Sequence, residues 1–140
     1  MEYLVGIFLA LAVSLASTAI GFDKDRAFYP AVMIVIASYY ALFAVMGGSG
    51  AALISECAAM MLFVGAAVVG FRRNLWIVVW ALLAHGVFDF VHGHFIANPG
   101  VPSWWPMFCL SYDVVAGLYL AWLLRRSALA ASVNQWRASA

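Results

Sequence analysis

Charge is what this sequence has least of. Seven Lys/Arg and six Asp/Glu residues are scattered over 140 positions, 9% of the chain, and the formal net charge is +1. A soluble domain carries roughly 25% charged and 45–50% apolar residues. Here 67% are hydrophobic and the mean hydropathy is +1.00. Such scarcity excludes an ordinary soluble domain and leaves no basic face for a nucleic acid, so no nucleic-acid partner is expected. Cysteine is almost absent as well. Cys57 and Cys109 both fall inside apolar runs, where a thiol behaves as a small buried hydrophobe, so no disulfide framework is read from them. Proline occurs four times, three of them between residues 99 and 106. There is no internal repeat, no low-complexity tract and no phosphate-binding glycine loop.

What the chain does have is long apolar runs. Residues 3–21, 28–46, 51–71, 75–96 and 107–124 are each long enough to cross a bilayer as a helix, which takes about 20 residues. The expected fold is therefore all-α: a domain over residues 1–126 built from five transmembrane helices, followed by a cytoplasmic tail over 127–140. Small residues near position 18 give the first run some likeness to a signal peptide. Glu2 stands where a signal peptide carries positive charge, so the run is read as the first span. Its Ala10, Ser14, Ser17, Thr18 and Gly21 form a small-residue stripe suited to close packing. Gly47-Gly48-Ser49-Gly50 is a short turn that makes the second and third helices a hairpin. The stretch from Ala97 to Pro106, with Trp104 and Trp105, is the one elaborate loop.

With five spans, all seven basic residues (Lys24, Arg26, Arg72, Arg73, Arg125, Arg126 and Arg137) fall on one side of the membrane. The positive-inside rule then predicts an outside N-terminus and a cytoplasmic C-terminus, with the Gly-rich turn and the Pro/Trp loop outside. At about 1.5 Å of rise per residue, Glu56, Asp89 and Asp113 all lie roughly 8–11 Å below the outer surface. Three helices thus place a carboxylate in one layer.

The fourth run is distinctive in carrying His85, Asp89 and His92 on one stripe of an otherwise apolar helix. Ionisable groups inside a membrane helix mark a functional site by default. No Lys or Arg lies near enough to offset the acids, so protons, histidinium or a bound cation must do so. Two imidazoles with two or three carboxylates suit zinc or iron. The expected metal ligands are His85, Asp89 and His92, completed by Glu56 or Asp113; the remaining carboxylate of that pair is the expected general base. Tyr39, Tyr40, Tyr112 and His94 are candidates for supporting contacts, although His94 lies off the stripe. Taken singly, a His or Asp in a membrane helix is more often an interhelical hydrogen bond than a ligand, and only the convergence of five such groups argues otherwise.

The run from His85 to Asp113, with its His-x-x-x-Asp-x-x-His spacing, Pro-rich loop and following Asp, resembles an uncharacterised family of small bacterial multi-spanning membrane proteins. The likeness covers about the last third of the chain and implies a bacterial inner-membrane location. In general style the site is also similar to the intramembrane zinc hydrolases of the alkaline ceramidase and adiponectin receptor group, which have seven spans and differently placed histidines. That similarity makes metal chemistry within a membrane plausible; with the expected ligand set it gives a divalent metal cofactor and a hydrolase, and the site's depth near the outer leaflet points to a membrane lipid or another amphiphile as substrate. Two other functions fit the same residues: proton or cation handling, and an accessory role in a larger membrane complex. Self-association through the stripe on the first helix is permitted.

Overall fold

In a computed structural model, which describes the backbone of residues 1–139 and the side chains of residues 1–127, the described residues form five α-helices and no strands. They are α1 (Glu2–Ile20), α2 (Phe28–Met46), α3 (Gly50–Arg72), α4 (Trp76–Phe95) and α5 (Trp105–Ser139). A single 3-10 turn, Phe22–Lys24, lies between α1 and α2. All five are long and apolar enough to cross a bilayer, and the protein is an integral, multi-pass membrane protein. The helical form follows from the solvent. Without water in the hydrocarbon layer every backbone N–H and C=O must be satisfied within the segment, and a helix does so locally.

The helix ends are set by a few residues. Gly21, at φ +94°, closes α1 by donating its N–H to the Ser17 carbonyl. Ser49 caps α3, its hydroxyl accepting from the Ala52 N–H at 3.2 Å, and the Asn74 side chain accepts from the Trp76 N–H at 3.0 Å at the start of α4. The start of α5 corrects the expectation from sequence. Helix begins at Trp105 instead of Met107, because Pro106 falls in the first turn, where a missing N–H costs nothing and its fixed φ is already helical. The backbone of α5 also continues helical through Ser139, well past Leu124.

Side-chain bridges sort the connections into two ends. At one, the Arg26 guanidinium donates to the Phe71 carbonyl at 3.1 Å, joining the first connection to the Arg72-Arg73-Asn74 turn; this is the basic end. At the other, the Asn98 side chain reaches the Tyr40 carbonyl at 3.0 Å and the Tyr3 hydroxyl donates to Met107 Sδ at 2.9 Å. We call this the Pro/Trp end. Gly100 packs so tightly on the end of α2 that a Cβ there would collide with the Phe43 carbonyl, so the loop can seat only with glycine at this position.

Around the bundle, α1 packs on α5, α5 on α4, α4 on α3 and α3 on α2. The buried face of α1, turned toward α5, is Gly6, Ala10, Ser14 and Ser17; of the expected small-residue stripe Thr18 and Gly21 are only partly buried, and Gly6 is added to it. Among the described residues α2 takes its main contacts from α3 and α4, which leaves its far face without a helix partner. The half of the bundle nearer the basic end is filled by Met33, Ile36, Val78, Val79, Leu82 and Leu120. Above that apolar plug lies a polar layer.

Candidate metal centre

The polar layer is built on α4. Spacing of four and seven residues puts His85, Asp89 and His92 on one face, and that face turns inward with Val78, Ala81 and Leu82. Two neighbouring helices bring their own acids to it: α3 contributes Glu56 and α5 contributes Asp113. All five side chains are 0–2% exposed. Gly86 allows α5 to come close, since a Cβ there would stand only 3.3 Å from the Leu110 carbonyl and 3.5 Å from Asp113 Cβ. Proximity of the two backbones is what lets the short Asp113 side chain reach across.

The five residues form two groups. In the first, His85 Nδ1 lies 2.7 Å from Asp113 Oδ2 and 3.4 Å from Asp89 Oδ2. One ligand atom from each of the three lies within 4.8 Å of the others. A single ring nitrogen serves the closer carboxylate, so both oxygens of Asp89 and Oδ1 of Asp113 are left without a hydrogen-bond partner from the protein. Bare carboxylate oxygens at full burial demand a proton or a cation. The second group sits nearer the Pro/Trp end. His92 Nε2 lies 2.7 Å from Glu56 Oε1, and the same oxygen accepts from the Asn98 amide at 2.8 Å. Glu56 Oε2 has no partner.

Aromatic rings join the two groups. Tyr40 stacks on His92, with centroids 4.1 Å apart and planes at 24°, and its hydroxyl faces Asp89 without standard hydrogen-bond geometry. Phe63 meets His85 edge-on at 4.7 Å, and Phe88 contacts both imidazoles. These rings pack around both imidazoles.

The fold regroups the ligands that sequence spacing put together. His85, Asp89 and Asp113 form the compact set, while His92 pairs with Glu56 instead. Each imidazole is turned to a different acid: His92 Nε2 lies 2.7 Å from Glu56 Oε1, and His92 is not among the residues whose ligand atoms come within 4.8 Å of one another. Asp113, expected as a base or fourth ligand, stands among the close set, and Glu56 is the carboxylate left outside it. Of the supporting candidates, Tyr40 joins the layer. Tyr39 and Tyr112 line an apolar groove on the other side of α5 and α2, and His94 is exposed. Asn98 escaped the sequence reading altogether. Its signal is the Asn-Pro-Gly turn, in which Asn98 Oδ1 accepts from the Gly100 N–H at 3.2 Å, but turn chemistry alone does not say that the amide also reaches two helices away.

Three ligand atoms within 4.8 Å of one another, with bare carboxylate oxygens among them, form a group that could hold a metal ion. Compared with family models, with curated proteins and with solved structures, the chain matches none.

Proposed function

We propose that the protein is a membrane-embedded, metal-dependent hydrolase acting on a lipid or similar amphiphile, with His85, Asp89 and Asp113 holding one divalent ion, zinc or iron. The observation that carries this reading is Asp89: a wholly buried carboxylate beside the Tyr40 hydroxyl, with only a long contact of 3.4 Å to His85 Nδ1, facing a second carboxylate, and with no Lys or Arg in the layer among the described residues. A divalent ion supplies the missing charge, polarises a carbonyl and eases deprotonation of water. The chain's own residues supply the rest. Glu56, fixed through Oε1 by His92 and Asn98, keeps Oε2 free to accept the proton of the attacking water. Water adds its oxygen to the acyl carbon, the acyl bond to the leaving group breaks, and the proton passes to the leaving atom. Following the positive-inside rule, the basic end is cytoplasmic and the site lies in the outer half of a bacterial inner membrane.

Proton relay across the membrane is a second reading: the core between His85 and the basic end is mostly apolar, but Tyr29 lies in it and Tyr119, Thr18 and Asp23 form a hydrogen-bonded chain at that end. Metal analysis separates the two. Protein purified without chelator is expected to hold about one zinc or iron ion per chain, lost in Asp89→Asn and Asp113→Asn and kept in Glu56→Gln. Metal-free wild-type protein, with a melting temperature indifferent to added zinc, iron or manganese, overturns the proposal.

A further inference from the structure

At the basic end a groove runs between α2 and α3, walled by Ala27, Pro30, Ala31 and Ile34 on one side and by Ala67, Val68 and Phe71 on the other. Spacings of three, four and seven residues put each set on one stripe of its helix, so the groove runs about 10 Å up the bundle. Ile34, Val68 and Phe71 are 36–44% exposed, and the groove opens sideways into the hydrocarbon layer. Charge at its end sets it apart from any other apolar depression. Arg26 adjoins Ala27, and Arg72 and Arg73 follow Phe71. The Arg26 guanidinium crosses to α3, donating to the Phe71 carbonyl at 3.1 Å and to the Arg73 carbonyl at 3.5 Å, so it stands at the end of the groove. All three arginines are exposed, and among the described residues none is ion-paired with a carboxylate. The acids nearest in sequence have other partners: Asp25 Oδ1 accepts from the Ala27 N–H at 3.0 Å, and Asp23 Oδ2 from the Thr18 hydroxyl at 2.6 Å.

We propose that this groove seats one acyl chain of an anionic phospholipid, whose phosphate is held by the guanidiniums of Arg26, Arg72 and Arg73. Groove and charges stand in the order of the lipid's own parts, apolar within the hydrocarbon layer and basic at its edge, where the phosphates lie. A guanidinium suits that phosphate because its fork donates to two oxygens at once. A zwitterionic phospholipid offers the same phosphate but brings a cation of its own, so three guanidiniums without carboxylate partners select a headgroup of net negative charge. The same charges disfavour a second copy in the groove. Copies inserted in one orientation meet about an axis along the membrane normal, and pairing these grooves would bring two sets of three guanidiniums to one level. The bound lipid would tie the first connection to the α3–α4 turn. It lies at the opposite end of the bundle from Glu56 and His92, and the inference does not rest on the hydrolase reading.

Native mass spectrometry tests the inference. Full-length protein is released from micelles holding equal amounts of phosphatidylglycerol and phosphatidylcholine with identical acyl chains, and the lipids retained per chain are counted. One phosphatidylglycerol is expected to stay bound, favoured over phosphatidylcholine by about tenfold. At about fivefold for each basic residue near the phosphates, Arg26→Gln lowers its affinity about fivefold, and Arg72→Gln with Arg73→Gln about thirtyfold. Val68→Trp, which fills the groove and leaves the arginines in place, lowers it about tenfold. Ile34→Trp does the same if Val68→Trp fails to fold. Leu62→Trp, at a site 76% exposed on α3 and outside the groove, leaves it unchanged. Equal retention of the two lipids overturns the inference, as does displacement of phosphatidylglycerol by an equal concentration of inorganic phosphate. Loss in the arginine variants with both groove variants unaffected also overturns it, because a basic surface then attracts headgroups without seating a chain. So does a dimer, or a co-purified protein, that either groove variant dissociates.

Discussion

Replacing Asp89 by Asn inverts the usual expectation for a buried polar residue, and the size of the effect follows from the geometry. Asp89 and Asp113 present oxygens within 4.8 Å of each other, with one imidazole between them. At an effective dielectric constant of about 20, two unit charges at that separation repel by about 3.5 kcal/mol. His85 offsets at most one of the two. In metal-free protein, Asp89→Asn should therefore raise stability by about 1–3 kcal/mol, as removal of an unpaired buried charge does. With metal the order reverses. At a free ion concentration one hundred times Kd, the wild type gains about 2.7 kcal/mol and the variant gains nothing. Unfolding in mixed micelles, followed by near-ultraviolet circular dichroism with chelator and then with zinc, should show the two curves exchanging places. A variant less stable than wild type in both conditions, with no response to metal in either protein, refutes this reasoning and leaves a cluster that only fixes helix packing.

Asn98→Ala removes the donor shared by the Tyr40 carbonyl and Glu56 and should cost about 2–4 kcal/mol, with faster amide exchange over residues 97–104; unchanged exchange there counts against a structural tie. Gly100→Ala drives a Cβ into the Phe43 carbonyl and should lift the loop at a cost of about 1–3 kcal/mol, whereas a neutral effect in the same unfolding assay contradicts the close approach. For topology, Ser103→Cys and Asn74→Cys are compared in a chain with Cys57 and Cys109 replaced by Ala. An impermeant maleimide should label only the first in intact cells, and labelling of Asn74→Cys reverses the proposed orientation.

The sequence by itself determined the number and type of the elements. Five runs of hydropathy fixed five helices to within about two residues at most ends, because in a bilayer backbone hydrogen bonding leaves an apolar run of that length one stable form. The start of α5 two residues before the apolar run has a local cause: Pro106 falls in the first turn, where its missing N–H costs nothing and its fixed φ starts a helix. The sequence also singled out Glu56, His85, Asp89, His92 and Asp113, because an ionisable side chain in an apolar run is conspicuous without knowing its neighbours. Only the tertiary structure decided how they divide. Helical spacing fixes angle and rise along one helix, but it is silent on which face of α3 or α5 meets α4 and at what level. Those depend on the close approach at Gly86, which gives Asp113 to His85, and on the Asn98 loop, which gives Glu56 to His92. The groove beside α2 is likewise a property of packing. Val32 and Tyr39 look like any apolar stripe until α1 turns its small residues to α5 and leaves them partly exposed.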